Sequence, residues 1–168
     1  MKQFNAILIC LIIWQLASCK ALNKTAVTEE NIPSDIGNSN YKILVTEIDF
    51  NNTVSKNIAK TQNNSAREYV EKKMKGYGEF IPEAEQGSDK YQDRNVYRYT
   101  LMSETTTKLE KTYTYTNSNR PTEKVTSWVT TFYFYDRLNG KKLGRVGAST
   151  TAFWMLKAII DKINDARS

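Results

Sequence analysis

The chain has 168 residues, 24 Lys and Arg against 18 Asp and Glu, a formal charge of +6 and no histidine. Without imidazole there is no Ser-His-Asp triad, no His general base and no His-ligated metal; no metal or other cofactor is assigned. The basic residues are scattered, with no run beyond Lys-Lys, as on a solvated mixed surface and not a nucleic-acid site.

Met1 to Asn5 is a short, weakly positive start, and Ala6 to Trp14 is an almost unbroken apolar run. Small residues follow at once in Leu16-Ala17-Ser18-Cys19. This is the layout of a secretory signal, and the run is too short to span a bilayer, which takes about 20 apolar residues. The last four residues resemble the lipobox of bacterial lipoproteins. That resemblance implies cleavage after residue 18 and transfer of a diacylglycerol to the thiol of Cys19. Cys10 leaves with the signal, so the mature chain keeps one cysteine, at its first position. A lone free thiol is odd in an exported protein, and lipidation removes the oddity. Acyl chains contribute about 0.8 kcal/mol per buried methylene, so two or three hold a protein firmly on a membrane. Lys20 stands where an aspartate would resemble an inner-membrane retention signal. The expected place is therefore the outer membrane, with the domain facing the periplasm.

Residues 19–40 read as the lipidated cysteine and a flexible tether, rich in Asn, Thr, Ser and Glu and without a sustained period. As a coil it spans on the order of 25 Å. Residues 41–168 read as a single domain. Tyr41 to Phe50 is the first strand, and its continuous apolar centre, Ile43-Leu44-Val45, predicts burial on both faces. Asn51 to Asn64 reads as polar loop. Ser65 and Glu68 form a capping-box pattern that opens a helix, with Ala66, Tyr69, Val70 and Met74 on one face and Gly76 and Gly78 as its stop. Phe80-Ile81 before Pro82 predicts an edge strand at most, and Glu83 to Asp93 a polar loop.

Asn95 to Leu109 alternates as a strand, which Thr112 to Tyr115 continues. Asn117 to Pro121 is a turn, and Val125 to Tyr135 returns, with Trp128, Phe132 and Phe134 on one side and Val129, Tyr133 and Tyr135 on the other. Asn139-Gly140 predicts a type I′ hairpin into a strand over Lys141 to Ala148. The last helix starts near Ser149 or Thr150. Ala152, Met155, Leu156, Ile159, Ile160 and Ile163 line its apolar face. The fold class that follows is α+β. A mainly antiparallel four- to five-stranded sheet carries two helices on one face, in the order β-α-β-β-β-β-α.

Leu44-Val45 followed by Ile48-Asp49-Phe50-Asn51-Asn52-Thr53 resembles the opening of a group of envelope lipoproteins. The group comprises the curli-secretion lipoprotein, the outer-membrane activators of penicillin-binding proteins and the amino-terminal domain of TolB. Gly78-Glu79-Phe80-Ile81 sits where that group has a short strand, and Phe134 to Lys141 resembles its late hairpin. Met102-Ser103 departs from it, standing where members often carry glycine. The resemblance implies an envelope accessory role. The lipopolysaccharide-assembly lipoproteins share a helix-on-sheet plan but lack the Asp-Phe-Asn-Asn opening.

Catalysis without histidine would need a carboxylate pair, as in a glycan hydrolase. Glu47 with Asp49 and Glu83 with Glu85 have the spacing, but such pairs are commonplace on solvated surfaces. At the end of a buried strand, Asp49 is expected instead to accept backbone amides from the Asn-Asn turn. A secretion-pore subunit would insert the hairpin Thr105 to Thr131 into lipid. Its strands carry Lys108, Glu110, Lys111, Glu123 and Lys124, against the apolar row a barrel needs. What remains is a non-enzymatic assembly module, attached to the membrane through Cys19 and binding an envelope protein or glycan, not nucleic acid. Tyr113, Tyr115, Arg120 and Lys124 near the hairpin tip are the candidate contacts, since tyrosine and arginine are favoured at interfaces. Trp128, Phe132, Phe134, Phe153 and Trp154 are assigned to the core or its margin.

Overall fold

The computed structural model describes residues 27–38, 40–113 and 123–168, and the side chains of these except 83, 108–113 and 123–127. Strands β1 (Ile43–Thr46), β2 (Gly78–Ile81), β3 (Tyr99–Tyr113), β4 (Glu123–Asp136) and β5 (Lys141–Ser149) form one sheet in the order β2-β1-β3-β4-β5. Helices α1 (Lys56–Lys73) and α2 (Ala152–Arg167) complete an α+β domain. The sheet is mixed, which corrects the mainly antiparallel expectation: β1 runs parallel to both β2 and β3, while β3-β4 and β4-β5 are antiparallel. The parallel pairs arise because α1 carries the chain from β1 to β2 and residues 82–98 then carry it back past β1 to β3.

All four residues of β1 are buried, as a strand with parallel neighbours on both sides requires. Ile43 and Val45 join Tyr99, Leu101, Phe132, Phe134 and Val146 in the main core. Both helices supply the opposite wall, through Ala66 and Val70 of α1, Met74 just after it, and the stripe of α2. The six stripe residues inferred from helical spacing are the six that α2 buries. Leu44 points the other way, to a smaller cluster with Ile81, Tyr91 and Tyr97. That cluster is supplied largely by residues 82–98, whose stretch read as polar loop contains two 3-10 turns and the buried Tyr91.

Several boundaries differ from expectation. Helix α1 begins at Lys56, not Ser65, and its cap is Ser55, whose hydroxyl accepts from the Ile58 amide at 3.4 Å. Its first turns face mostly solvent, so no apolar period announces them. Asn139-Gly140 does not form a type I′ turn, since only Gly140 has positive φ, at 63°. Arg137 to Gly140 make a four-residue connection between Asp136 and its partner Lys141. The Asp136 carboxylate organises it, accepting from the amides of Leu138 and Asn139 and from the Asn139 side chain at 2.7 Å.

Residues 27–38, expected within the tether, are packed against the domain. The Thr28 amide donates to the Val146 carbonyl at 2.8 Å and the Asn31 side chain to the Arg145 carbonyl at 2.9 Å, so this strap covers the outer edge of β5. Ile36 is buried, and the Tyr99 hydroxyl donates to Asp35 at 2.5 Å. The Arg167 guanidinium, over the Tyr77 ring, donates to the carbonyls of Ile36, Asn38 and Tyr41 at 2.9, 3.0 and 2.7 Å. A strap held by backbone bonds and single apolar anchors has no periodicity for sequence to reveal. Residues 19–26, the rest of the expected tether, lie outside the described residues, as do the expected signal peptide and Cys19.

Two expectations follow. Arg167→Ala should cost on the order of 2 kcal/mol in urea unfolding and raise amide exchange across residues 36–42. Asp136 is the second test. Burial pushes its carboxyl up, but the Arg98 guanidinium at 3.0 and 3.1 Å and Asn139 outweigh that and hold it below the ordinary value. A depressed carboxyl stabilises the fold while ionised and loses that contribution as pH falls through its folded value. Asp136→Asn should therefore flatten the stability loss as pH falls through and below the ordinary carboxylate range.

Candidate functional site: the β3-β4 ribbon and its root

Strand β3 has 15 residues and β4 has 14. Their neighbours in the sheet are shorter. β1 pairs only with Tyr99 to Leu101, and β5 reaches no further along β4 than Thr130. From Thr106↔Val129 to Tyr113↔Glu123, seven rungs therefore stand beyond the sheet as a two-stranded ribbon. At about 3.4 Å per residue it extends about 25 Å. A register shift between Thr107 and Leu109 marks a bulge at Lys108.

The root of this ribbon is a set of buried hydroxyls. Thr105 and Thr130 face each other across the strands, with their oxygens 2.9 Å apart, and both are buried. The Thr105 hydroxyl also donates to the Asp49 carbonyl. Ser103 accepts from the Asp49 amide at 3.0 Å. From the helix side, Asn63 accepts from the Ile48 amide at 2.7 Å and donates to the Ile48 carbonyl at 3.3 Å. The loop after β1 is thus clamped between α1 and the ribbon base. Beyond the clamp the chain turns through Asn51 and Asn52 at φ 44° and 57°, a conformation asparagine tolerates better than most residues. The Asp49 carboxylate accepts the Asn51 amide at 2.7 Å, the role expected of it.

A cleft of about 340 Å³ lies along this loop, lined by Glu47, Asp49, Asn51, Asn52, Lys56 and Asn63 among others. The Glu47–Asp49 pair therefore borders one cleft, while the Glu83 side chain of the second pair lies outside the described ones. Among the described residues no group of three or more Cys, Asp or Glu gathers to hold a metal ion, and no helix is long and apolar enough to cross a membrane.

Of the candidate contacts, Tyr113 and Lys124 occupy neighbouring rungs at the far end of the ribbon, Tyr113↔Glu123 and Thr112↔Lys124. Tyr115 and Arg120 lie outside the described residues. Trp154, assigned to the core or its margin, is 59 % exposed. At 100° per residue it falls almost diametrically opposite the buried stripe of α2, so the spacing that identified the stripe also placed this indole in water. The helix-free face of β3-β4-β5 holds a second polar group missed from sequence. There Lys142 donates to both carboxylate oxygens of Glu104, at 2.8 and 3.0 Å, and the Tyr133 hydroxyl donates to the same group at 3.0 Å. The Lys142 bond foremost, opposed by burial, holds the Glu104 carboxyl below its ordinary value. Only the strand register could have brought these three together. The root gives a direct test. Thr105→Val leaves the Asp49 carbonyl and the Thr130 hydroxyl short of a partner, and should cost about 1–3 kcal/mol and raise amide exchange in Asp49 to Thr53.

No protein-family model matches the chain, and no curated protein matches it. Among solved structures, it is similar to a PelC dodecamer from Paraburkholderia phytofirmans at 15% identity and a TM-score of 0.36. A leucine-to-methionine variant of the same PelC dodecamer gives 16% identity and a TM-score of 0.38. Each match covers 77% of this chain and 88% of the other. A likeness this low carries no weight for function.

Proposed function

We propose that this is a lipid-anchored, non-enzymatic accessory protein of the bacterial cell envelope, held at the outer membrane through Cys19, that binds an envelope protein or glycan through the ribbon. The observation that carries the reading is the ribbon itself. Seven rungs extend past the last contact with a third strand and rise from a root tied to α1 and to the loop after β1. A two-stranded hairpin is marginal in water. A chain that keeps one this long, on a base built of buried hydroxyls, presents it to something. The Leu16-Ala17-Ser18-Cys19 sequence supports the anchor, and the Asp49-Phe50-Asn51-Asn52 opening supports placement with the envelope lipoproteins, in which both helices would cover one face of the sheet.

A secretion-pore subunit would use the same ribbon differently. By register, one side of the ribbon takes the rungs of Glu110 and Lys124 and the other those of Lys111 and Glu123. Neither side offers the unbroken apolar row that a lipid-facing barrel strand needs. The lipopolysaccharide-assembly and glycan-hydrolase readings have no comparable support: the first lacks the Asp-Phe-Asn-Asn opening, and the second rests on the Glu47–Asp49 pair alone.

The test is photo-crosslinking in the native envelope from a reactive residue at position 113. The expected product is a discrete adduct that disappears when Tyr115 and Arg120 are replaced by alanine. Crosslinking that captures nothing specific would remove the partner-binding role. In parallel, Cys19→Ala should abolish palmitate labelling, and a labelled Cys19→Ala protein would contradict the anchor. Ion conductance by the purified protein in planar bilayers would favour the pore instead.

A further inference from the structure

Trp154 is the most exposed large apolar side chain among the described residues. It does not stand alone. The Phe153 ring lies 6.1 Å from it and packs edge-on against Tyr69 of α1 at 6.2 Å. The Lys157 ammonium sits over both outer rings, 5.0 Å from the indole and 5.3 Å from Tyr69. The first turn of α2 thus presents an indole with an ammonium beside it, on the side turned away from the sheet. Core packing does not require this, because the α2 stripe lies on the other side of the helix.

The path of the strap shows which surface comes near. Gly37 lies against Ala166 near the end of α2, Glu29 pairs with Lys162 at 2.7 Å, and Thr28 bonds to Val146. Next to Val146, Gly147 packs its Cα against the Met155 sulfur. Followed toward the amino end, the strap therefore climbs α2 and leaves the described structure level with Met155, one residue from Trp154. Val27 is eight residues after Cys19, a reach of at most about 28 Å. Acyl chains carried by Cys19 would lie within that reach of the end of α2 that bears the exposed indole.

We propose that the first turn of α2 rests in the headgroup layer of the bilayer that holds Cys19, with the Trp154 indole at the interface and the Lys157 ammonium on phospholipid phosphate. This rests on the lipid-anchor reading. Indoles favour the membrane interface because one edge is apolar and the N–H still finds a partner, and a neighbouring lysine adds attraction to anionic lipid. The acidic groups on the outer side of α2 do not oppose the contact. Asp161 is about 10 Å further along the helix and is engaged by the Tyr69 hydroxyl at 2.5 Å. Asp165 lies a further turn away. Contact would fix how the domain stands on the membrane, which an acyl anchor alone leaves free.

The experiment uses the full lipidated mature protein carrying Trp128→Phe, which leaves Trp154 as its one tryptophan. It is reconstituted into vesicles of phosphatidylethanolamine and phosphatidylglycerol with or without bromine on the acyl chains. Brominated lipid should quench Trp154 emission at least about twofold, and aqueous iodide should quench it little. Flotation with the vesicles and palmitate labelling report the anchor separately. A protein that floats, yet shows iodide-accessible and bromine-insensitive emission, overturns the proposal and leaves the anchor intact. Emission shielded from both quenchers also overturns it and points to a second copy as the cover. A protein that neither floats nor carries palmitate defeats both readings. Trp154→Ala should float as well as the parent while Lys157 becomes more reactive to an aqueous amine reagent; unchanged reactivity counts against the contact.

Discussion

The structure depends on burying one four-residue strand on both sides. Ile43 to Thr46 has parallel neighbours left and right and no exposed residue. Each buried aliphatic side chain contributes about 2 kcal/mol, but only if both faces are covered. The two helices cover the face of Ile43 and Val45, and residues 82–98 cover that of Leu44. That second cover is small and is fastened by polar contacts. Glu79 accepts from Lys90 at 2.6 Å and from the Tyr97 hydroxyl at 2.9 Å, and the Tyr91 and Tyr97 rings meet edge-on at 5.1 Å. The long return from β2 to β3 is therefore a wall of the domain as well as a connection.

From this centre the chain proceeds outward along β3, and the buried groups change from hydrocarbon to hydroxyl. Tyr99 and Leu101 are core, while Ser103 and Thr105 are equally buried but bonded to Asp49 and Thr130. An apolar side chain in either place would leave the loop backbone after β1 without its partners. The hydroxyls let the sheet end while the ribbon continues, and they hold the Asn51-Asn52 turn against the ribbon base.

Much of the fold was legible because it is written in period. The stripe of α2 was complete in the spacing of its apolar residues, and the continuous apolar centre of β1 announced burial on both faces. What sequence could not deliver lacked a period. The strap at residues 27–38 packs through backbone and side-chain bonds and through Val27, Ile32 and Ile36, which follow no helical or strand period. The first turns of α1 carry only Ile58 and Ala59 among polar residues, too few to show a period, and their cap, Ser55, was overshadowed by a better capping pattern at Ser65 and Glu68. The parallel pairing of β3 with β1 depends on where residues 82–98 go, which no local pattern records. At the candidate site, Asp49 was read correctly because an Asx turn is a local interaction. The Thr105–Thr130 root and the Glu104–Tyr133–Lys142 group exist only through register.

The bulge at Lys108 changes sides along the ribbon. Below it, odd-numbered positions of β3 pair with even-numbered positions of β4 such as Phe132 and Phe134, on the helix-bearing side. Above it, Leu109, Lys111 and Tyr113 pair with Ser127, Val125 and Glu123, in the β4 phase of Tyr133 and Tyr135. Strict alternation from Tyr99 would have kept position 113 in the β4 phase of Phe132 and Phe134; one extra residue pairs it in the other phase, with Glu123. One inserted lysine is enough to reverse the phase in which the far end of the ribbon pairs.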